Sequence, residues 1–450
     1  MRKEDAMCRR SVRWAMTGWI LWVVGCAPAG SGWRHFHGSL AGEGFLDVRS
    51  GYAVSPAWRS ESLAITGSSP VVGRDATGAE VVYIGTVDAQ LVAVDSGDGR
   101  VRWKRFLGTS EGRSSIVSSP TVADDGSVLV LTTTELPGGG LQSSLHKVDA
   151  LGDRHWSQPM PDGGISMGSP KAVTFAGQPL VLVQALTGAP EALRSELMVV
   201  RDAGAGAEVL SRKSFGGCTG SRLSYARLLD TWKLLGAWPA KPIDSPADAA
   251  LEPSPAARWH RSKLLIAMVD NLCRLGVLGW DGHVLSVLWE SAQAGAIHTS
   301  PAILSNNQVV FGRRDGKLLA YDAETGVRMW DYDAGEPIFA APSGSPEGIV
   351  FAASKEHLHA VHADGGGAVL LSGTAQRLKI PGPTLSSPAV TSECLYLPAR
   401  EMLTVSRDFK VRSYNTAFVG NGLSSPAVGA DGSLYAVAAD GSIWKYKGAR

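Results

Sequence analysis

Short runs of apolar residues, separated by glycine-rich turns, recur along the chain from about residue 55 to its end. Typical runs cover residues 81–84, 128–131 and 309–311, and are rich in valine, leucine and aromatic residues. Asp-Gly steps such as those at Asp125 and Asp315 follow or separate such runs, and this dipeptide tolerates the positive φ values of tight hairpins. No stretch has the sustained 3.6-residue period of an amphipathic helix. The pattern therefore predicts antiparallel strands joined by hairpins.

A small residue followed by proline opens one unit after another. The intervals between these steps are 38 to 50 residues, apart from a gap of 131 residues between Ser169 and Ser300 that can hold two units and an insertion. A four-stranded unit repeating at about this length is the signature of a β-propeller blade. The steps are Ser69-Pro70, Ser119-Pro120, Ser169-Pro170, Ser300-Pro301, Ala341-Pro342, Ser387-Pro388 and Ser425-Pro426.

These steps predict an all-β, eight-bladed propeller of four-stranded antiparallel blades, with seven blades as the alternative. Blade starts are expected near residues 70, 120, 170, 220, 301, 342, 388 and 426. The last unit has only two strands after its opening one. We therefore expect residues 56–63 to supply the missing strand, so that N- and C-terminal strands close the ring and remove its open edges.

Blade four begins weakly near residues 220–229 and is expected to carry an insertion at about residues 229–261. Five prolines between Pro239 and Pro255 exclude a regular element across that stretch, because proline lacks a backbone donor. Two interpretations stay open: a functional surface loop, or an insertion that the fold tolerates.

The spacing Ala-x-Asp-x-x-x-Gly-x-x-x-Trp is complete at residues 93–103 and 320–330. It is similar to the tryptophan-docking repeat of the PQQ-type β-propellers, and the resemblance extends over about residues 55–447. The tryptophans of this repeat occur about once per blade, which favours a structural role between neighbouring blades over a ligand cage. The docking residues are then Trp58, Trp103, Trp156, Trp289 and Trp330.

The first 26 residues are typical of an exported lipoprotein. Arg9, Arg10 and Arg13 precede an apolar run at residues 14–24, which is too short to span a bilayer. The run ends in Val-Val-Gly-Cys26, which resembles the bacterial lipobox, although a buried apolar segment is the alternative. We predict a signal peptide over residues 1–25, a lipidated tether and linker over residues 26–54, and the propeller over residues 55–450.

Composition narrows the functional classes. Lys and Arg number 43 against 42 Asp and Glu, a net charge of +1, so no basic surface for nucleic acid is indicated. Five cysteines do not make a disulfide framework. Cys218 and Cys273 both fall in blade four and could pair in an oxidising compartment, whereas Cys394 is expected to be a buried small residue.

Candidate catalytic and metal-binding motifs are weak. Residues 164–168 match the G-x-S-x-G elbow around Ser166, but no helix is expected after them, so we interpret the match as chance. His357, His359 and His362 are closely spaced. Since a structural metal site usually needs four ligands, we interpret them as strand-surface histidines and predict no metal site.

Two functional hypotheses follow from the family resemblance. Quinoprotein dehydrogenases of this superfamily hold PQQ with a stacked Trp, a disulfide between adjacent cysteines, and calcium. This chain has no adjacent cysteines and no calcium-loop spacing, so we expect no cofactor and no enzyme activity.

A lipobox followed by about eight such blades resembles the BamB family of the β-barrel assembly machinery. That resemblance implies a scaffold anchored to the outer membrane through Cys26, facing the periplasm, with a BamA-type barrel protein as partner. The alternative is a propeller that binds a small ligand or polysaccharide, or that serves another envelope complex.

Overall fold

A computed structural model describes residues 32–52, 55–65, 67–110, 112–189, 193–215, 225–236, 253–292, 296–363, 370–371, 374–375, 377–382 and 384–447. These residues form eight blade sheets, arranged as an eight-bladed β-propeller. In blades 1 to 7 the four strands follow chain order outward, whereas in blade 8 the outermost strand comes from the N-terminal side of the ring. Adjacent strands of each blade pair antiparallel. The predicted all-β propeller is confirmed, with eight blades rather than seven.

Blades 1 to 4 are each formed by one continuous stretch of chain. Blade 2 also pairs Ser114–Ser115 with its second strand, and a 3-10 turn at Pro161–Gly163 follows it. The strands are Val71–Arg74, Glu80–Gly85, Gln90–Asp95 and Val101–Phe106 in blade 1; Thr121–Val122, Val128–Glu135, Leu141–Val148 and Arg154–Pro159 in blade 2; Lys171–Phe175, Gln178–Thr187, Arg194–Asp202 and Ala207–Ser214 in blade 3; and Ala256–His260, Lys263–Asp270, Arg274–Trp280 and Leu285–Glu290 in blade 4.

Blades 5 to 8 complete the ring. In blade 6 a separate two-stranded hairpin, Leu370–Leu371 with Thr374–Ala375, lies in the chain between the third strand and the outer strand. The strands are Ala302–Ile303, Gln308–Gly312, Lys317–Asp322 and Arg328–Asp333 in blade 5; Ser343–Gly344, Ile349–Ala353, His357–His362 and Arg377–Lys379 in blade 6; Ala389–Thr391, Cys394–Pro398, Met402–Ser406 and Val411–Asn415 in blade 7; and Ala427–Val428, Leu434–Val437, Ser442–Tyr446 and Pro56–Ser62 in blade 8.

The two ends of the propeller meet in blade 8. Its outer strand, Pro56–Ser62, pairs antiparallel with Ser442–Tyr446, and Trp58 lies opposite Lys445. This is the closure that the short last repeat predicted. Closure supplies a partner strand to Ser442–Tyr446, which would otherwise expose a row of unpaired backbone groups.

The predicted start of blade 4 near residues 220–229 is wrong. Its innermost strand is Ala256–His260, and a helix, α1 (Tyr225–Gly236), precedes it. The step that opens the blade is Ser254-Pro255, which lies among the prolines that we interpreted as insertion. The helix was missed because its apolar positions recur over only three turns. Part of the proline-rich stretch, residues 237–252, lies outside the described residues.

The alternation of strand direction gives the propeller two distinct faces. We call the strap face the one that carries the first and third hairpins of each blade, together with residues 32–52. The helix face carries the second hairpins, the connections between blades, and α1. Each innermost strand begins at the helix face and ends at the strap face. Of the helices among the described residues, none is long and apolar enough to cross a bilayer.

Candidate functional site

Tryptophans of the outer strands reach the next blade. The Trp103 indole N–H donates to the carbonyl of Ala150 at 3.0 Å, and a side chain on Gly152, whose φ is +92°, would begin 2.8 Å from the Trp103 ring. Gly152 therefore leaves the space that the ring occupies. Trp58 donates in the same way to Ser96, and Trp289 to Ala323, each at 3.0 Å.

The remaining predicted tryptophans differ in their partners. The Trp156 indole N–H donates to the Asp202 carboxylate at 3.1 Å, which also joins blades 2 and 3. Trp330 donates to Gln308 of its own blade at 2.9 Å. Blade 3, which lacks a tryptophan in its outer strand, instead places Phe175 against the turn at Gly282. All of these residues lie in the joints of the ring.

The small residues before each proline form a ring around the central channel, which we call the serine ring. The backbone N–H of each ring residue except Ser300 donates to the hydroxyl of the serine in the next blade at 2.8–3.0 Å. Ala341 interrupts the ring because it offers no hydroxyl. The bonds run from Ser69 to Ser119, Ser119 to Ser169, Ser169 to Ser254, Ser254 to Ser300, Ala341 to Ser387, Ser387 to Ser425, and Ser425 to Ser69.

The serine ring surrounds a cavity of about 80 Å³. Six of its serines and Ala341 line the cavity, and Phe36 lies at the strap-face end. Toward the helix face the lining becomes largely apolar, at positions two residues before the ring. Those residues are Val117, Met167, His298, Phe339, Leu385 and Leu423.

Helix α1 packs at the helix-face mouth of this channel. Leu228 and Trp232, one turn apart on the same side of the helix, are fully buried and share one apolar cluster with Val117 and Met167 of the lining. The Trp232 indole N–H donates to the Ser115 hydroxyl at 2.5 Å. The helix between blades 3 and 4 thus covers part of the mouth.

Residues 32–52, which we call the strap, follow the inner strands around the other face. In six blades a strap carbonyl accepts the N–H of the residue three positions after the ring, at 2.7–2.9 Å. The sequence had assigned this segment to a linker, and nothing in its pattern indicated these bonds. The pairs are Trp33 with Val72, Arg34 with Val122, Leu40 with Ala257, Ala41 with Ile303, Glu43 with Gly344, and Gly44 with Val390.

Blade 3 holds the strap with a lysine side chain instead. The Lys171 ammonium is buried and donates to the carbonyls of Phe36 and Ser39 at 2.8 and 3.0 Å. Burial lowers the pKa of Lys171 to about 7. The pKa values of His35 and His37 are also lowered, first by burial and then by the nearby Lys171, and that of His37 falls to about 4.

The motifs that the sequence singled out are engaged in local bonds. Ser166 is buried, and its hydroxyl donates to the Gln184 carbonyl at 2.6 Å. His357 bonds the Glu336 carboxylate at 2.6 Å. His359 is buried rather than on the surface, and burial lowers its pKa to about 4. Within the described ranges, no cluster of three or more His, Cys, Asp or Glu side chains could hold a metal.

The cysteines are divided between described and undescribed parts of the chain. Cys273 is buried and disulfide-bonded, and its partner lies outside the described residues, as do Cys218 and Cys26. The predicted Cys218–Cys273 pair and the predicted lipidation of Cys26 therefore stay predictions. Cys394 is a buried free thiol whose pKa burial raises to about 11.

The channel does not fit a tricyclic quinone cofactor. Pockets for ligands of that size usually measure about 300–1,000 Å³, whereas this cavity measures about 80 Å³. No carboxylate or amide side chain of the described residues lines it, so nothing there supplies the oxygen ligands that a calcium ion prefers.

Comparison with known proteins adds one family match. A family profile described as "Outer membrane protein assembly factor BamB" matches residues 45–228 and 285–369, together more than half of the chain.

Individual relatives are more distant. Quinohemoprotein alcohol dehydrogenase from Comamonas testosteroni is 28% identical over 93 residues, which are 20% of this chain and only 13% of the relative's length. The structure of a quinohemoprotein alcohol dehydrogenase from Pseudomonas putida superposes with a TM-score of 0.58 at 12% identity, covering 93% of this chain and 80% of that one. BamB from Moraxella catarrhalis gives a TM-score of 0.41 at 15% identity, over 88% of both chains. At such identities the likeness to the dehydrogenase structure concerns the fold alone.

Proposed function

Because the chain belongs to the family described as outer membrane protein assembly factor BamB, we propose that it is a non-catalytic propeller scaffold. It is lipid-anchored through Cys26, faces the periplasm, and takes part in assembling β-barrel outer-membrane proteins with a BamA-type barrel protein as partner. The observation that carries this proposal is that the chain itself narrows both ends of the channel. The strap bonds the inner strands at one end and α1 packs at the other, so the larger surfaces open to a protein partner are the rims.

The rim of the strap face offers the more pronounced apolar surface. Leu151, Val284 and Val327 lie in the third hairpins of blades 2, 4 and 5, and are 76%, 59% and 59% exposed. Trp259, at the end of the inner strand of blade 4, is 44% exposed and packs against Phe175 with the two ring centroids 5.0 Å apart and the planes tilted by 35°. Val284, Trp259 and Val327 belong to the neighbouring blades 4 and 5, and we propose that this side of the strap face, together with Leu151, contacts the partner.

The test is an affinity pull-down of the lipidated full-length protein from its native envelope in mild detergent, with mass spectrometry of the retained proteins. We expect a large barrel protein with periplasmic repeat domains. Substituting Leu151→Glu, Val284→Glu and Val327→Glu together should abolish its recovery, whereas the helix-face control Phe106→Glu should not. Recovery of a different envelope complex, or equal recovery by both variants, would contradict the proposal.

A ligand-binding propeller is the second candidate, favoured by the polar serine ring inside the cavity. A ligand there would contact Ser119, Ser300 or their equivalents rather than the rim. Calorimetric titration with small polar ligands of a size that about 80 Å³ admits distinguishes the two candidates, because a channel ligand would lose affinity in a serine-ring variant and keep it in the rim variant.

A further inference from the structure

The hydroxyl protons of the serine ring have no acceptor in the described part of the protein. Each ring oxygen accepts the backbone N–H of the preceding blade, and a serine hydroxyl also carries one proton to donate. No described side chain or carbonyl receives that proton from Ser119, Ser169 or the other ring serines. Since six of the seven line the cavity, their unused donors are available to whatever it contains.

The interruption at Ala341 adds a donor of a different kind. The backbone N–H of Ser300 lies where the other positions donate to the next serine hydroxyl, but Ala341 has none. Among the described residues, the Ser300 N–H finds no acceptor, and Ser300 lines the cavity. Ser300 is half-buried, and a backbone donor that faces an interior cavity usually has an acceptor, which can be a bound water or ion. The gap therefore calls for an acceptor that the chain does not provide.

A buried lysine lies next to the cavity, and an anion there would favour its charged ammonium form. Lys171 follows ring residue Ser169 by two positions, and its ammonium bonds the carbonyl of Phe36, which lines the cavity. No carboxylate of the described residues forms an ion pair with it. A buried ammonium without a counter-charge is costly, and no acidic side chain lines the cavity. The electrostatic balance favours a negative occupant.

We propose that the central cavity binds one small monovalent anion of halide size, held by the Ser300 N–H and by ring hydroxyls. The space fits this class of ligand: one water-sized centre needs about 10–15 Å³, so about 80 Å³ admits a halide with a few waters. A cation is disfavoured because the cavity presents donors and Lys171 lies beside it. The site is independent of the proposed scaffold function.

Bromide is the probe, because it scatters anomalously and replaces chloride. Crystals of the mature protein grown in sodium bromide should show an anomalous peak in the cavity beside the Ser300 N–H. In solution at constant ionic strength, replacing sodium gluconate with sodium bromide should raise Tm along a saturating curve, since a ligand that binds only the folded state stabilises it.

Ala341→Ser supplies the missing acceptor to Ser300 and should weaken the bromide response at least tenfold. The control Ala76→Ser makes the same change in an exposed hairpin of blade 1 and should leave the response unchanged. A cavity that contains only ordered water, with a Tm that ignores the identity of the anion, would overturn the proposal. An unchanged bromide response in Ala341→Ser would overturn the role of the Ser300 N–H.

Discussion

The serine ring predicts that two substitutions change the free energy of unfolding in opposite directions. In Ser119→Ala the buried Ser69 N–H loses the acceptor that it bonds at 2.9 Å. An unsatisfied buried donor costs about 1–3 kcal/mol, and because the adjacent cavity can admit water we expect about 1–2 kcal/mol. In Ala341→Ser the Ser300 N–H gains an acceptor, and a net hydrogen bond contributes about 0.5–1.5 kcal/mol. The first variant should therefore be less stable than the wild type, and the second more stable.

The assay is urea unfolding followed by tryptophan fluorescence in halide-free buffer. The midpoint should fall for Ser119→Ala and rise for Ala341→Ser, with the slope m unchanged, because neither substitution alters the surface exposed on unfolding. Ser262→Ala, in an exposed hairpin of blade 4, is the matched control and should stay within about 0.5 kcal/mol of the wild type. Destabilisation by Ala341→Ser, or no effect of Ser119→Ala, would refute the view that the ring hydroxyls link the blades.

Three further predictions concern other parts of the ring. Burial lowers the pKa of Lys171 from 10.5 to about 7, so between these two pH values the unfolded chain binds more protons than the folded protein. Urea unfolding at a series of pH values should therefore show the wild type gaining stability relative to Lys171→Met as pH rises from 7 to 10.5. Gly177 has a φ of +80° and its added Cβ would meet nothing within 4 Å, so Gly177→Ala should lower the free energy of unfolding by about 1–2 kcal/mol. Gly152→Ala should lower it clearly more, because the added Cβ meets the Trp103 ring. Equal urea midpoints for the two variants would contradict the docking role of Trp103. Trp232→Ala should speed hydrogen exchange in α1 while the blade strands keep their protection, and uniform loss of protection would show that the helix stabilises the whole ring.

The repeat carried most of the fold, because each blade repeats the same physical pattern. The small-residue–proline step, the apolar runs and the terminal half-unit were enough to predict eight blades and their closure by Pro56–Ser62. Blade 4 escaped because its opening step, Ser254-Pro255, follows prolines that obscured it. One practical consequence is that deleting the whole predicted insertion, residues 229–261, would remove the strand Ala256–His260, so a deletion that probes the proline-rich stretch should be confined to residues 237–252.

The channel could not be predicted in the same way. The ring serines were visible in the sequence as repeat markers, but their hydrogen bonds were not. Most of these bonds join residues about 40–50 positions apart, one joins Ser169 to Ser254 across 85 positions, and one joins Ser425 back to Ser69. The strap has no periodicity, since its contacts are made by carbonyls, which every residue possesses. Lys171 occupies an ordinary strand position, and only the assembled fold surrounds it with carbonyls.

The strap also imposes an order on folding. Its carbonyls at Trp33 to Gly44 receive donors from six blades that extend to Val390, and Pro56–Ser62 pairs with Ser442–Tyr446. The strap therefore gains its partners one blade at a time, from Val72 to Val390, and Pro56–Ser62 has no partner strand until Tyr446 is present. Contacts that span nearly the whole chain make folding slow, and during that interval the first residues of the domain stay accessible to processing enzymes and chaperones. A nascent chain that stops short of Tyr446 would leave the last blade, and with it the closure of the ring, unfinished.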